Sequence, residues 1–207
     1  EYDVRGRRVR KVVVKDGVEV TRHRYVWANH IVQQRIDELT WSVRTYLRSP
    51  GDWELFGHVD ESATGVESIY YVIHPSAMPL FAVDSGGRTR WQATASVFGE
   101  VTLGKRDVQV DVRYANQEWD DDVELIYNLR RWYDPRTGLY ISPDPLFLEG
   151  SPNLRDYALN PLTYMDPMGL YPPPVPANGQ PRPSSPPTAS SFSTTGTYLL
   201  GPGYNAT

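Results

Sequence analysis

Short apolar and polar alternations, separated by tight-turn signals, run through residues 1–170. Val12–Val14 and Val18–Val20 flank Asp16-Gly17, a dipeptide that strongly favours a two-residue β-hairpin turn. Val, Tyr, Trp and Thr are frequent in these alternating runs, and such residues suit a pleated, half-buried surface. The pattern therefore predicts an all-β fold built from hairpins.

The same pattern predicts further strands. They are a hairpin of 80–83 with 89–94 around Asp84–Gly87, and strands over 108–114 and 125–132. A helix over residues 31–47 is the alternative in that region, because Ile36, Leu39 and Val43 would share one helical face. Thr40, Trp41 and Thr45 favour a strand instead.

A turn motif recurs three times, with an apolar or aromatic residue, an Asp, and a Gly three or four positions later. The copies are Tyr2–Arg7, Val83–Arg88 and Tyr133–Gly138. An Asp side chain can accept hydrogen bonds from amides just ahead of it, and Gly tolerates the positive φ of a tight turn. The recurrence predicts a repeat architecture whose strand edges are covered by neighbouring repeats.

Prolines concentrate at the C-terminal end: nine of the 18 lie within residues 171–207. Ser and Thr occupy many of the positions between them, a composition typical of polyproline and coil segments. A boundary is therefore predicted at Leu170 and Tyr171, with a β core over 1–170 and a disordered Pro/Ser/Thr-rich tail over 171–207.

Composition excludes several function classes. The net charge of −4 argues against a nucleic-acid partner, and the apolar runs are too short for a membrane span. With no Cys and four scattered His, neither a metal site nor a cofactor is expected. The acidic run Asp120–Asp122 is predicted to be a solvated loop, with a calcium site as the alternative.

Several segments carry a family resemblance. They are Tyr2–Arg7, Tyr70–His74 followed by 84–91, Tyr127–Pro145, Asn153–Pro161, and the closing Pro161 with Asp166–Leu170. Together they resemble the Rhs/YD-repeat proteins, and residues 127–170 are similar to the Rhs repeat-associated core. The resemblance covers about residues 1–170.

This resemblance implies the closing section of a hollow β-shell, or cocoon, that encapsulates a variable C-terminal toxin. Related shells occur in the C components of insecticidal toxin complexes, in type VI secretion effectors and in teneurins. The implied partners are upstream repeats of the same shell, the chain's own toxin or cargo, a delivery protein and an immunity protein. The implied location is a bacterial effector that is cytoplasmic before export, with 171–207 as a linker or truncated toxin region.

The resemblance also implies self-cleavage. Its closing motif matches Pro161, Asp166, Pro167, Gly169 and Leu170, and the cut would fall between Leu170 and Tyr171. Asp144 and Asp156 match the catalytic aspartates of an intramolecular aspartyl protease. Asp166 is expected to fix the turn before the cut, Gly169 to supply backbone freedom, and Leu170 to fill an apolar pocket.

The chemistry of such a pair is consistent with the residues present. Without Cys, a metal or a Ser/His pair, two carboxylates offer a route to peptide hydrolysis, one activating water and the other donating a proton. Structural roles remain open, because Asp144 precedes a proline as turn residues do and Asp156 can cap a short helix or turn. The alternative function is a non-catalytic structural, encapsulating or adhesive shell fragment, such as an orphan Rhs remnant.

Overall fold

The computed structural model describes residues 1–48, 55–74, 77–145, 153–157, 164–166, 169–170 and 198–199. The first nine strands are β1 (Arg10–Lys15), β2 (Val18–Ala28), β3 (Ile31–Asp37), β4 (Ser42–Arg48), β5 (Leu55–Ser62), β6 (Gly65–His74), β7 (Met78–Asp84), β8 (Thr89–Ala95) and β9 (Val101–Arg106). The others are β10 (Val112–Arg113), β11 (Gln117–Asp120), β12 (Leu125–Asn128), β13 (Arg131–Asp134), β14 (Leu139–Tyr140), β15 (Tyr164–Met165) and β16 (Tyr198–Leu199). A single 3-10 turn, Tyr114–Asn116, is the only helical element among the described residues, so the predicted all-β fold is confirmed.

Strands β1 to β9 form one antiparallel sheet in which every strand pairs with the next in sequence. Both predicted hairpins are present, and Asp16 and Gly17 adopt the positive φ values of a two-residue turn. The helix alternative over residues 31–47 is wrong. Ile36 pairs with Val43 across β3 and β4, and the Asp37 carboxylate accepts the amides of the connecting turn.

Strands β10 to β14 form a second antiparallel sheet, and it corrects two strand predictions. Residues 125–132 are a hairpin rather than one strand, because Leu129 takes a φ of +46° in a tight turn between β12 and β13. Within 108–114, only Val112–Arg113 is strand. The preceding Asp111 leaves the ladder to place its carboxylate between two arginines of the first sheet.

At all three positions of the predicted turn motif, the Asp side chain accepts the backbone amide two residues ahead. Asp3 and Asp84 each accept two backbone amides through Oδ1, and Asp134 accepts the amide of Arg136. A fourth turn follows the same plan with a serine in place of Asp, since Ser96 Oγ accepts the Glu100 amide at 3.1 Å. Hydroxyl and carboxylate oxygens can both accept hydrogen bonds from these amides, so the turn forms with Ser as well as with Asp.

Aromatic and aliphatic side chains fill two cores. One lies on the inner face of the nine-stranded sheet, where Trp91 and Ile69 are fully buried and Val110 and Val112 pack against them. The other is built around a cluster of tyrosines, namely Tyr114, Tyr133, Tyr140 and Tyr157. Trp91 and these four tyrosines thus serve packing, and the tyrosine core contacts the candidate site through the hydroxyls of Tyr140 and Tyr157.

Buried ion pairs link the two sheets. Arg8 of the N-terminal segment donates to Asp120 at 2.7 Å and contacts Glu118 at 2.9 Å, while its guanidinium lies over the Tyr127 ring. Lys11 also reaches Asp120, at 2.5 Å. The prediction of a solvated acidic loop is therefore wrong for Asp120, which is buried as the counter-ion of two cations.

The tail prediction lies almost wholly outside the described residues. Residues 198–199 are the exception, and they pair antiparallel with Tyr164–Met165. The boundary at Leu170 and Tyr171 and the disorder of 171–207 stay predictions. Over the described ranges, no helix has the length and apolar character needed to cross a membrane.

Candidate functional site

Two buried carboxylates meet at one buried guanidinium. Arg131, on β13, is 1% exposed, and its Nη2 lies 2.9 Å from Asp144 Oδ2 and 3.3 Å from Asp166 Oδ2. Asp144 follows β14 and Asp166 follows β15, so segments distant in sequence converge here. We call Arg131, Asp144 and Asp166 the Arg131 centre.

The remaining contacts of Arg131 hold its side chain in place. Its guanidinium carbon stands 3.6 Å from the centroid of the Tyr140 ring. Its Nη1 donates to the Leu154 carbonyl at 3.3 Å, and its Nε donates to the Gly169 carbonyl at 2.7 Å. The same cation therefore contacts both carboxylates and the backbone just before Leu170.

Asp166 is fully enclosed by donors. Its Oδ2 accepts the Tyr140 hydroxyl at 2.8 Å, and its Oδ1 accepts the Leu170 amide at 2.9 Å. Its own amide donates to the Tyr157 hydroxyl at 3.3 Å. Gly169 has a φ of +66°, the left-handed conformation that the expected backbone freedom requires. The Asp166 side chain thus contacts both the Leu170 amide and the Arg131 centre, and its expected role in fixing the turn before the cut stays a prediction.

Asp156 lies on a neighbouring segment. The chain turns back after Asp144, whose amide donates to the Leu154 carbonyl at 2.8 Å, and Asp156 forms a bridge with Leu139. The half-buried Asp156 carboxylate accepts from Asn153 Nδ2 at 2.5 Å. The two predicted aspartates are therefore on adjacent segments, but it is Asp166 that shares a guanidinium with Asp144.

Electrostatics at the centre differ from those of an isolated carboxylate pair. Among the described residues, one guanidinium faces the two carboxylates of Asp144 and Asp166. Burial, together with the neighbouring Asp166 charge, raises the pKa of Tyr140 well above its ordinary value, so its hydroxyl stays protonated as a donor.

Pro161 and Pro167 of the predicted motif, and Tyr171 of the predicted cleavage site, lie outside the described residues. Leu170 is half-buried at the end of the described segment. Across the ranges that the structure describes, no group of three or more His, Asp or Glu side chains is arranged to hold a metal ion.

Sequence reasoning missed Arg131, Asn128 and Tyr140. All three are buried polar side chains within the segment 127–145 that carries the family resemblance. The available signal was the position of Arg131 on a short strand, where alternation directs it to the same side as Tyr133 and therefore inward. A buried arginine requires counter-charges, which Asp144 and Asp166 supply.

Known proteins with similar sequences include bacterial toxins. The chain is 29% identical over 193 residues to double-stranded DNA deaminase toxin A of Burkholderia cenocepacia, an alignment covering 82% of this chain and 13% of that protein. It is 32% identical over 195 residues to probable deoxyribonuclease RhsA of Dickeya dadantii, covering 86% of this chain and 12% of that protein. The chain is an Rhs-type core segment. No protein-family model matches it.

The fold of this Rhs core agrees with a solved toxin-complex shell. The crystal structure of TcdB2-TccC3 aligns with a TM-score of 0.52 and 20% sequence identity, over 82% of this chain and 10% of the other. This likeness concerns the fold alone. The Rhs core spans about an eighth of the length of the two relatives named above.

Proposed function

We propose that this Rhs core encloses a C-terminal toxin or cargo and detaches it by hydrolysing the Leu170–Tyr171 peptide bond in cis. The proposed catalysts are the carboxylates of Asp144 and Asp166, with Arg131 between them. The observation that carries the proposal is the convergence of both carboxylates and the Gly169–Leu170 backbone on Arg131.

Two contacts support the choice of this bond. Arg131 Nε holds the Gly169 carbonyl at 2.7 Å, and Asp166 Oδ1 holds the Leu170 amide at 2.9 Å. Both atoms lie within one residue of the Leu170 carbonyl carbon. An intramolecular bond held in this way has a high effective concentration, so no separate substrate-binding surface is needed.

The roles follow from the contacts of each carboxylate. Asp166 accepts hydrogen bonds from Tyr140, Arg131 and Leu170, which favour its ionised form, and it acts as the base toward water. Asp144, which contacts the same guanidinium, is the proposed general acid. Water adds to the Leu170 carbonyl carbon, Asp144 protonates the Tyr171 nitrogen, and the C–N bond breaks to give a carboxylate and an amine.

Asp156 is the alternative partner of Asp144, as the family resemblance implies. Its segment is close, since Leu154 accepts from both the Asp144 amide and Arg131 Nη1. The two assignments differ in a measurable way, because they predict different responses to amide substitution at positions 156 and 166.

The sheet edges support the encapsulating part of the proposal. Strand β1 lies at one edge of the nine-stranded sheet and β9 at the other, and exposed edges are natural sites for pairing with further strands. The proposed partners are upstream repeats of the same shell, the chain's own toxin, a delivery protein of a secretion system or toxin complex, and an immunity protein. The proposed setting is a delivered bacterial effector made in the cytoplasm.

The deciding experiment is a time course of intact mass after cell-free synthesis of the 207-residue chain. We expect products 1–170 and 171–207 from the wild type, and none from Asp144→Asn. Asp166→Asn should block cleavage if Asp166 is the second catalyst, whereas Asp156→Asn blocks it under the alternative. Asp134→Asn, at a turn of β13, is the matched control and should cut normally. A folded wild type that stays whole would contradict the proposal.

A further inference from the structure

A buried asparagine lies beside the Arg131 centre with an orientation that its contacts determine. Asn128 is fully buried, and its Nδ2 lies 2.6 Å from the Asp166 carbonyl oxygen and 2.5 Å from the Tyr140 hydroxyl. A backbone carbonyl can only accept, so the amino group of Asn128 must face Asp166. Its second proton is then directed to the Tyr140 oxygen.

This orientation determines the direction of the next hydrogen bond. Because the Tyr140 oxygen accepts from Asn128, its own proton is free to point to Asp166 Oδ2, 2.8 Å away. Burial raises the pKa of Tyr140, so the hydroxyl remains a donor over the ordinary pH range. The Tyr140 ring meanwhile supports the guanidinium of Arg131 at 3.6 Å.

Asn128 is not satisfied as a purely structural residue would be. Among the described residues, no donor reaches its buried Oδ1. An unpaired buried carbonyl oxygen lowers stability, so burial alone does not account for an asparagine here. The Asn128 amino group instead donates two hydrogen bonds of fixed direction, one to the Asp166 carbonyl oxygen and one to the Tyr140 hydroxyl oxygen.

We infer that Asn128 and Tyr140 are positioning residues, in which Asn128 orients the Tyr140 hydroxyl and that hydroxyl holds the Asp166 carboxylate ionised and aligned for the cut. This inference rests on the proposed function. Among the described residues, the charged and titratable groups that face Asp166 are Arg131 on β13, Tyr140 on β14, Tyr157 and, through Arg131, Asp144.

The test compares cleavage rates of the full chain over a range of pH. Tyr140→Phe keeps the ring but removes one hydrogen bond to a carboxylate, so we expect cleavage about tenfold slower. The limb of the pH–rate profile that reports Asp166 should move up by about one pH unit, because the bond favours the ionised form. Tyr133→Phe is the matched control. It removes a buried hydroxyl that donates to the Phe98 carbonyl at 2.8 Å, and it should keep the wild-type rate and profile.

Asn128→Ala should slow cleavage in the same direction. The double variant with Tyr140→Phe should be no slower than the slower single variant, because the two residues act in series. If Tyr140→Phe fails to fold, 3-fluorotyrosine at position 140 carries the test. It is nearly isosteric and a better donor, so the same limb should move down.

The outcomes separate the two proposals. If the wild type cuts and Asp144→Asn does not, yet Tyr140→Phe matches the wild type at every pH, the positioning role is overturned and the proposed function stands. Multiplicative losses in the double variant would also overturn the series arrangement. A folded wild type that never cuts overturns both.

Discussion

Replacing Gly169 by alanine perturbs the backbone next to the proposed cut with a single methyl group. At φ +66° an alanine costs about 1–2 kcal/mol relative to glycine. Its Cβ would also lie 2.5 Å from the Asn128 carbonyl oxygen and 3.1 Å from the Arg131 amide. Because both neighbours are backbone atoms, the segment has to move by roughly 1 Å, enough to lower a positioned reaction about 100-fold.

The assay is the intact-mass time course, combined with thermal unfolding of each variant. Gly87→Ala is the matched control, because Gly87 has a φ of +77° with no atom within 4 Å of the added Cβ. It carries the same backbone cost without the clash, so it should lose stability modestly and cut at the wild-type rate. Equal cleavage by the two alanine variants would refute the idea that the Gly169 carbonyl and Leu170 amide are held for the reaction.

Other predictions concern buried charges. Arg131→Met should destabilise the fold by about 3–5 kcal/mol in urea unfolding, because two buried carboxylates lose their cation, whereas the half-exposed Arg136→Met should cost under about 1 kcal/mol. Burial and then Arg35 lower the pKa of His23 to about 4, so stability should be complete above about pH 6.5 and fall as the pH drops toward 4. His23→Gln should flatten that decline, and a slope equal to that of the wild type would contradict it. Asp111→Asn should weaken the loss of stability below about pH 4, because Arg35 and Arg44 lower the Asp111 pKa although burial opposes them.

The hairpins could be predicted from the sequence because the residues that determine them are close together in the chain. Asp16-Gly17 and the Asp84 turn act over two to four residues, and each reads directly as a tight turn. The same local reasoning failed at Leu129, where no Gly or Pro marks the positive φ, and one predicted strand became two. At Asp111 a long-range ion pair outweighed the alternation of the segment.

Only part of the candidate site could be predicted from the sequence, for a related reason. Asp144, Asp166 and Gly169 follow from the motif, but Arg131 contacts Asp166 and Gly169 across 35 and 38 positions of sequence. No local sequence signal predicts contacts over such distances in the chain. The family resemblance paired Asp144 with Asp156, and that pairing stays a prediction, whereas the contacts of Arg131 with both Asp144 and Asp166 depend on the tertiary fold.

The strictly sequential order of the nine-stranded sheet has a consequence for how the chain folds. Each strand closes a short loop onto its predecessor, so the sheet has low contact order and can grow strand by strand as the chain leaves the ribosome. The Arg131 centre is different, because it needs the 128–131 hairpin, Asp144 and Asp166 together. We therefore expect it to form last, so that any chemistry it performs is delayed until synthesis has passed Leu170 and the preceding strands are already in place.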